Sequence, residues 1–484
     1  MAISRRRFIK RTGGFLGGAM FASSFQQFNL VNVLAQKGVG DPQRGPTAAD
    51  PEYKSLVCIF MFGGNDANNT IVPMGTNTVL PNTNYSDYAA VRAALAIPEA
   101  SLLPITPSTA PHAGITFGLN PGLSALLPIW NAGDLAAVCN VGTLFQPMTR
   151  AQYLANSVPR PEFLFSHEDQ ERQWQTAIVR NTLLSAPTGW GGRLADNTMS
   201  LNPPGAEFPM IVSTGGVQMY TTGVTNRPLV PSSGLTGFTT PRSSDPRYIA
   251  MQDLMTMDRN TTLVDFASDT MQRAILSTDE LNVALGDTTT VTRVFPSTGI
   301  GTQMRNVART IARGAGCGSL PRLFGNLKRQ IFFCSIGGFD AHTNQIASHN
   351  SLLPQLSAAM AAFYNATVDL GIQSQVTAFT LSDFGRTLRP TDTGTDHAWG
   401  SHHFVMGGAV NGGTFYGTYP RIATGAGTGN GSDDTGNEGR WIPTTSVDQY
   451  AATLATWFGL PGASLATVFP NIGNFATQNL GFLS

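Results

Sequence analysis

This chain is poor in charge. Only 12% of its 484 residues are Asp, Glu, Lys or Arg, and 30 basic residues balance 30 acidic ones, so the formal net charge is zero. No basic block follows the Arg-Lys cluster at the N-terminus. That excludes a nucleic-acid partner, whose binding depends on neutralising phosphates. Cysteine is scarce too. The four cysteines include no Cys-x-x-Cys pair, the spacing of a thiolate zinc or redox site, and their surroundings argue against a disulfide framework. Cys58, Cys139 and Cys334 lie in apolar, strand-like runs where buried free thiols are expected, and Cys317 sits in a Gly-Cys-Gly loop. Gly-x-Ser-x-Gly, a P-loop, Gly-x-Gly-x-x-Gly behind a strand and His-Glu-x-x-His are all missing. Four common catalytic templates go with them. No later run is apolar over the roughly 20 residues that a bilayer span needs.

The N-terminus carries an address. Ser4-Arg5-Arg6-Arg7-Phe8-Ile9-Lys10 precedes a short Gly- and Ala-rich apolar stretch from Gly13 to Ala22, and Val33-Leu34-Ala35 offers a small-residue cleavage site. This is the pattern of a twin-arginine signal peptide over residues 1–35. The expected partner is the twin-arginine export machinery, and the expected destination is the periplasm or the medium, reached already folded. Residues 36–54 read as a linker, and 55–484 as a single domain.

Within that domain, Leu56 to Phe62 is a continuous apolar run closed by Gly63-Gly64-Asn65-Asp66. Such runs mark strands buried on both faces of a parallel sheet. Leu135–Val141, Pro209–Val212, Gln330–Ile336 and Val376–Leu381 repeat the pattern. Helical patterns lie between them at 167–181, 248–276, 303–313, 352–370 and 446–458. The alternation predicts an α/β fold, a mostly parallel sheet sandwiched by helices. The Ser/Thr/Gly/Pro-rich stretches 215–245 and 286–300 predict a cap insertion around 215–300, and 424–439 reads as a flexible loop.

Against this background the histidines stand out. Three of the seven fall in His397-Ala398-Trp399-Gly400-Ser401-His402-His403. Asp66, Asp340 with His342, and Asp383 each follow a predicted strand, and ligands of open α/β sheets sit beyond strand carboxyl ends. Imidazole and carboxylate together suit zinc, manganese or iron. Any one of these aspartates alone is more simply a turn or cap residue. Ser166 opens the 167–181 helix, as either an N-cap or a nucleophile, with the helix dipole favouring an anionic group there.

These segments resemble a large bacterial family of exported proteins known only as a domain of unknown function. The shared stretches are the twin-arginine signal, Gly63-Gly64-Asn65-Asp66, Ser166-His167, Gly337-Gly338-Phe339-Asp340-Ala341-His342, Ser382-Asp383-Phe384-Gly385-Arg386-Thr387, Thr395 to His403, and Tyr450 to Gly459. The family is distantly similar to the alkaline phosphatase/sulfatase superfamily. That resemblance implies an alkaline-phosphatase-like fold, metal ligands at Asp66, Asp340, His342, Asp383 and His397, and a nucleophile at Ser166. Two departures stand in this chain. Phe384 replaces the imidazole of an Asp-His pair, and Asp340 and His342 lie unusually close, leaving His349 as a rival ligand. One divalent site (zinc, manganese or calcium) is therefore expected, and a second only if His402 or His403 completes it.

The implied activity is hydrolysis of phosphate or sulfate esters, of small-molecule or polysaccharide origin, with Arg386 available to hold an ester oxygen. The alternative is a non-catalytic exported binding or assembly protein on a degenerate enzyme fold.

Overall fold

The computed structural model describes residues 49–80, 82–179, 188–204, 208–231, 242–257, 260–317, 325–422 and 433–484. The signal peptide, the linker up to residue 48, and parts of the cap and of the 424–439 loop lie outside these residues.

All five predicted strands form, and they belong to one sheet. The strands are β1 Lys54–Met61, β2 Leu135–Gly142, β3 Ile211–Ser213, β4 Arg329–Ile336, β5 Val376–Ser382, β6 Ser401–Met406, β7 Phe415–Gly417 and β8 Thr445–Ser446. Their order is β7-β2-β6-β5-β1-β4-β3, with β8 also pairing with β2. Every pairing is parallel except those of β6, which lies antiparallel to both β2 and β5. A small antiparallel sheet of Ile71–Pro73, Phe117–Leu119 and Leu103–Ile105 sits beside it.

The apolar runs are continuous because both faces of the sheet are covered. On β1, Val57, Ile59 and Met61 enter one core with Val307, Ile311, Met360 and Phe363. These last four come from helices α3 Gly299–Ala315 and α4 Gln345–Asp369. Leu56, Cys58 and Phe60 point the other way, into a core with Trp174, Leu194, Leu454 and Phe458 of α1 His167–Thr176, α2 Trp190–Thr198 and α5 Val447–Phe458. The result is a mostly parallel sheet between two helical layers. All four cysteines are free and buried.

Helix boundaries differ from the sequence pattern in four places. The 167–181 pattern stops at Thr176, where Ala177 turns left-handed, and the 303–313 pattern extends to Gly299–Ala315. The 248–276 periodicity resolves into two helices, Pro246–Thr256 and Thr262–Gly286. The 352–370 pattern begins a full seven residues earlier, at Gln345, because its first turns are too polar to show apolar spacing. Among the described residues no helix is long and apolar enough to cross a membrane.

Strand register sets up the site. Met61 pairs with both Ile336 and Ser382, so β1, β4 and β5 end level with one another. The loops after them, carrying Gly63–Asp66, Gly337–His342 and Asp383–Arg386, therefore emerge side by side. Antiparallel β6 starts at this same edge, where Ser401 lies opposite Val141. His397, four residues before Ser401, is delivered there too.

Candidate metal centre

Four side chains meet at that edge. Asp340 Oδ1 lies 3.0 Å from His342 Nε2, 3.4 Å from His167 Nε2 and 3.5 Å from His397 Nε2. His342 Nε2 and His397 Nε2 are 3.0 Å apart. The ligand atoms of His167, Asp340 and His397 form one compact group, and those of His342, Asp396 and His397 an overlapping one. Donors 2.0–2.1 Å from a tetrahedral zinc stand roughly 3.3 Å from one another, and these four separations lie near that value, with His167 and His342 in different groups that share His397.

The rings are aimed, not merely close. His167 Nδ1 donates to Asp383 Oδ2 at 2.7 Å, and His397 Nδ1 donates to the Phe165 carbonyl at 2.7 Å. Each outward N–H fixes the tautomer that leaves Nε2 as a lone pair facing the cluster. His167 Nε2 is buried and has no hydrogen-bond partner. Phe384 forms the wall behind, its ring centroid 4.7 Å from that of His167 and 4.6 Å from that of His397. Gly64, at φ +81°, approaches this wall so closely that a Cβ would collide with the Phe384 ring.

Protonation follows from these contacts. The hydrogen bond to Asp383 raises the His167 pKa, outweighing the loss of solvent. Burial lowers that of His397, with Arg386 and His167 adding to the effect against the Phe165 bond. Burial works to raise Asp340, but the Arg386 hydrogen bond and charge win and hold its carboxyl at about 2. Asp340 is thus a carboxylate and His397 a neutral imidazole, the forms that bind metals. One turn along His167–Thr176, burial and the nearby Asp383 push Glu171 up to about 7.

Several expected site residues are brought to the edge but not into the cluster. Asp66 is fully buried and turned inward: its oxygens accept from Asn68 N at 3.1 Å and from Gln345 Nε2, and it pairs with the Arg92 guanidinium. Asp383 does not face the cluster either. Its oxygens accept from Gly63 N and His167 Nδ1, which makes it the residue that orients His167. Arg386 spends its donors on the carbonyls of Gly63, Gly64 and Thr395 and on Asp340 Oδ1 at 2.6 Å, a clamp with no fork left over for an ester oxygen. Ser166 caps the helix, with its hydroxyl donating to Asp169 Oδ2 at 2.6 Å and accepting weakly from Asp169 N.

The rival histidines are core residues. His349, on α4, is buried against Phe339. His402 and His403 are buried on β6; Asn140 N donates to His402 Nδ1 at 3.1 Å, and His403 packs on Trp174. None joins the cluster, so none of them supplies the imidazole that Phe384 replaces.

His167 is the member of the cluster that the sequence pattern did not single out. The signal lay in the neighbouring Ser166, which reads as the reactive side chain while the imidazole beside it does the converging. Asp396 was not singled out either; it accepts from His397 N at 2.8 Å and pairs with Arg440.

The donor set fits a transition metal. Three imidazole nitrogens and one carboxylate suit zinc, manganese or iron, whereas calcium takes oxygen ligands throughout.

A family model described as "Protein of unknown function (DUF1501)" matches residues 53–432. No curated protein matches the chain. One solved structure, titled "Crystal structure of Ps i-CgsB in complex with k-i-k-neocarrahexaose", aligns over 84% of this chain and 72% of that one, at 8% identity and a TM-score of 0.29. That score carries no argument about fold or function. The family match covers most of the sheet and every residue of the cluster, and on it the chain belongs to the DUF1501 family of proteins of unknown function.

Proposed function

We propose that this protein is an exported hydrolase of phosphate or sulfate esters, built on an alkaline-phosphatase-like scaffold and working with one divalent transition metal. His167, Asp340, His342 and His397 would hold the metal. The observation that carries the reading is the pair of outward anchors, Asp383 on His167 and the Phe165 carbonyl on His397. Core histidines do not need both rings locked with their lone pairs on one point, whereas metal ligands do.

When bound, the cation would supply Lewis-acid polarisation of an ester oxygen and lower the pKa of water. The chain's own residues do the rest. Arg386 keeps Asp340 ionised and in place, and Phe384 excludes water from behind the rings. The helix His167–Thr176 turns its N-terminus toward the site, and the positive end of its dipole favours an anionic ester group. Ser166 holds that helix start, so attack by water, with Ser166 as a cap, accounts for its contacts better than a covalent seryl intermediate. Export rests on the Arg5-Arg6 signal pattern.

The test is metal analysis of purified protein, followed by a panel of phosphate and sulfate esters with zinc, manganese or iron restored. One tightly held metal per chain and turnover of at least one ester class are expected. Metal without turnover of any ester would replace this reading with the binding or assembly role. Absence of metal after gentle purification, with no stabilisation on adding it, would sink the metal centre itself.

A further inference from the structure

Beneath the cluster lies a second buried group of charged and polar side chains that the proposed chemistry does not use. Arg92 and Asp66 are both fully buried and paired through Arg92 Nη2 and Asp66 Oδ2. Arg92 Nε donates to Asn69 Oδ1 at 2.9 Å, and Arg92 Nη1 to the carbonyls of Thr387 at 2.7 Å and Leu388 at 2.9 Å. Asp66 also accepts from Gln345, whose Oε1 accepts from the Thr395 hydroxyl.

Thr387 and Leu388 lie on one arm of a hairpin and Thr395 on the other. Thr387 N donates to the Asp396 carbonyl at 3.0 Å, and Arg386 and His397 form a bridge between the arms. Asn68, in the turn that Asp66 caps, reaches the carbonyl of Arg386 at 2.7 Å. The ion pair therefore grips both arms of the hairpin that carries Arg386 and His397, and fastens them to the loop after β1 and to the start of α4. His349 packs close by on α4; burial, with the charges of Arg92 and Arg386, holds it neutral at about 3.

We propose that Arg92 is a positioning residue: an internal cation that, through Asp66 and Gln345, holds the His397 hairpin in its metal-ready shape before any metal arrives. The inference rests on the metal reading of the cluster. A buried carboxylate needs a cation close by. For Asp66 the chain itself supplies it, so no ion from solution is required there, and the edge is assembled while the centre is still empty. Arg92 suits the task because its planar fork serves a carboxylate, an amide and two carbonyls at once, which a lysine ammonium cannot match.

The test uses the full mature chain with Arg92→Lys and Gln345→Met, zinc as the probe, and the imidazole signals of nitrogen-15-labelled histidine in the metal-free protein. Gln345→Met leaves the Arg92–Asp66 pair in place and cuts the links from Gln345 to Asp66 and to Thr395, so it should fold even where Arg92→Lys does not. Each folded variant should lose about 10- to 100-fold in zinc affinity, the range for residues that orient ligands. His397 should lose its single Nδ1–H tautomer before metal is added, while His402 and His403 keep theirs. Unchanged zinc affinity and an unchanged His397 tautomer in Gln345→Met would overturn the proposal. Wild-type protein that takes up no zinc would sink the metal reading alone, since the tautomer of His397 still reports whether the hairpin is held.

Discussion

Three histidines at the sheet edge and three of the four buried in the core make opposite use of the same side chain. His167 and His397 have an Nδ1–H committed outward and turn Nε2 toward a shared point, where His167 Nε2 has no partner and His397 Nε2 meets that of His342. His349, His402 and His403 are walled in by aromatic rings and strand backbone, and each has at least one ring nitrogen with no partner. Burial lowers all three to about 3, so they stay neutral and behave as aromatic filler. The difference teaches that histidine density is a poor sign of a site. His397 and His402 are five residues apart, and what separates them is whether the second nitrogen is anchored so that the first must point somewhere useful.

The sharpest way to break this comparison is to delete one ring from each group. His167→Ala or His397→Ala should lower zinc affinity by roughly 100-fold or more, exceeding what the loss of an orienting partner costs. His403→Ala should leave affinity within a few-fold while costing about 1–3 kcal/mol of stability. Titration with zinc and urea unfolding separate the two outcomes, and equal zinc affinity in all three variants would dissolve the distinction.

Asp383→Asn probes the anchor. An amide can still accept from His167 Nδ1 through its oxygen, but it no longer favours the cation-binding form. Zinc affinity should fall about 10- to 100-fold with little change in the metal-free melting temperature. A drop in melting temperature with no change in affinity would return Asp383 to the role of a turn residue holding Gly63.

Acid separates the groups again. The core histidines sit below their ordinary value of 6.5, so as pH falls the unfolded chain takes up protons that the folded chain refuses. Their contribution is complete above about pH 6.5 and is lost progressively toward pH 3, at up to about 1.4 kcal/mol per pH unit for each residue. Asp340, held at about 2 against an ordinary 3.8, contributes above 3.8 and loses its share only as pH falls from there toward 2. Urea midpoints between pH 7 and 5 should therefore decline in wild type and decline less steeply in His403→Phe.

The smallest expected effect belongs to Ser166→Ala. Loss of the cap should cost about 0.5–2 kcal/mol. Metal content should not change, and turnover of any ester substrate should survive within a few-fold. Abolished turnover with full metal content would restore Ser166 as the nucleophile.

Much of this architecture is legible in the order of residues along the chain. Each apolar run closed by glycine became a strand, because a strand covered on both faces must be apolar throughout and must turn sharply where it leaves the sheet. Gly63 shows the second requirement: at φ +110° it passes so close to Phe339 and Asp340 that a Cβ would collide with their backbone. The gathering of Asp66, Asp340 and Asp383 at one edge is legible as well, since parallel strands of matched register end together.

Tertiary structure alone decided what each residue does at that edge. Asp66 and Asp340 occupy equivalent places after parallel strands, yet Asp66 meets a buried guanidinium from Arg92, 26 residues further along the chain, while Asp340 meets three imidazoles. Arg386 is read as a ligand-holding arginine until the carbonyls of Gly63 and Gly64, more than 300 residues earlier, consume its donors. His167 is aimed into the cluster by Asp383, 216 positions away. Local sequence sets backbone periodicity and turns because those depend on neighbours along the chain. A side chain's chemistry depends on which lone pairs and protons are left unclaimed, and that is known only when distant segments have met.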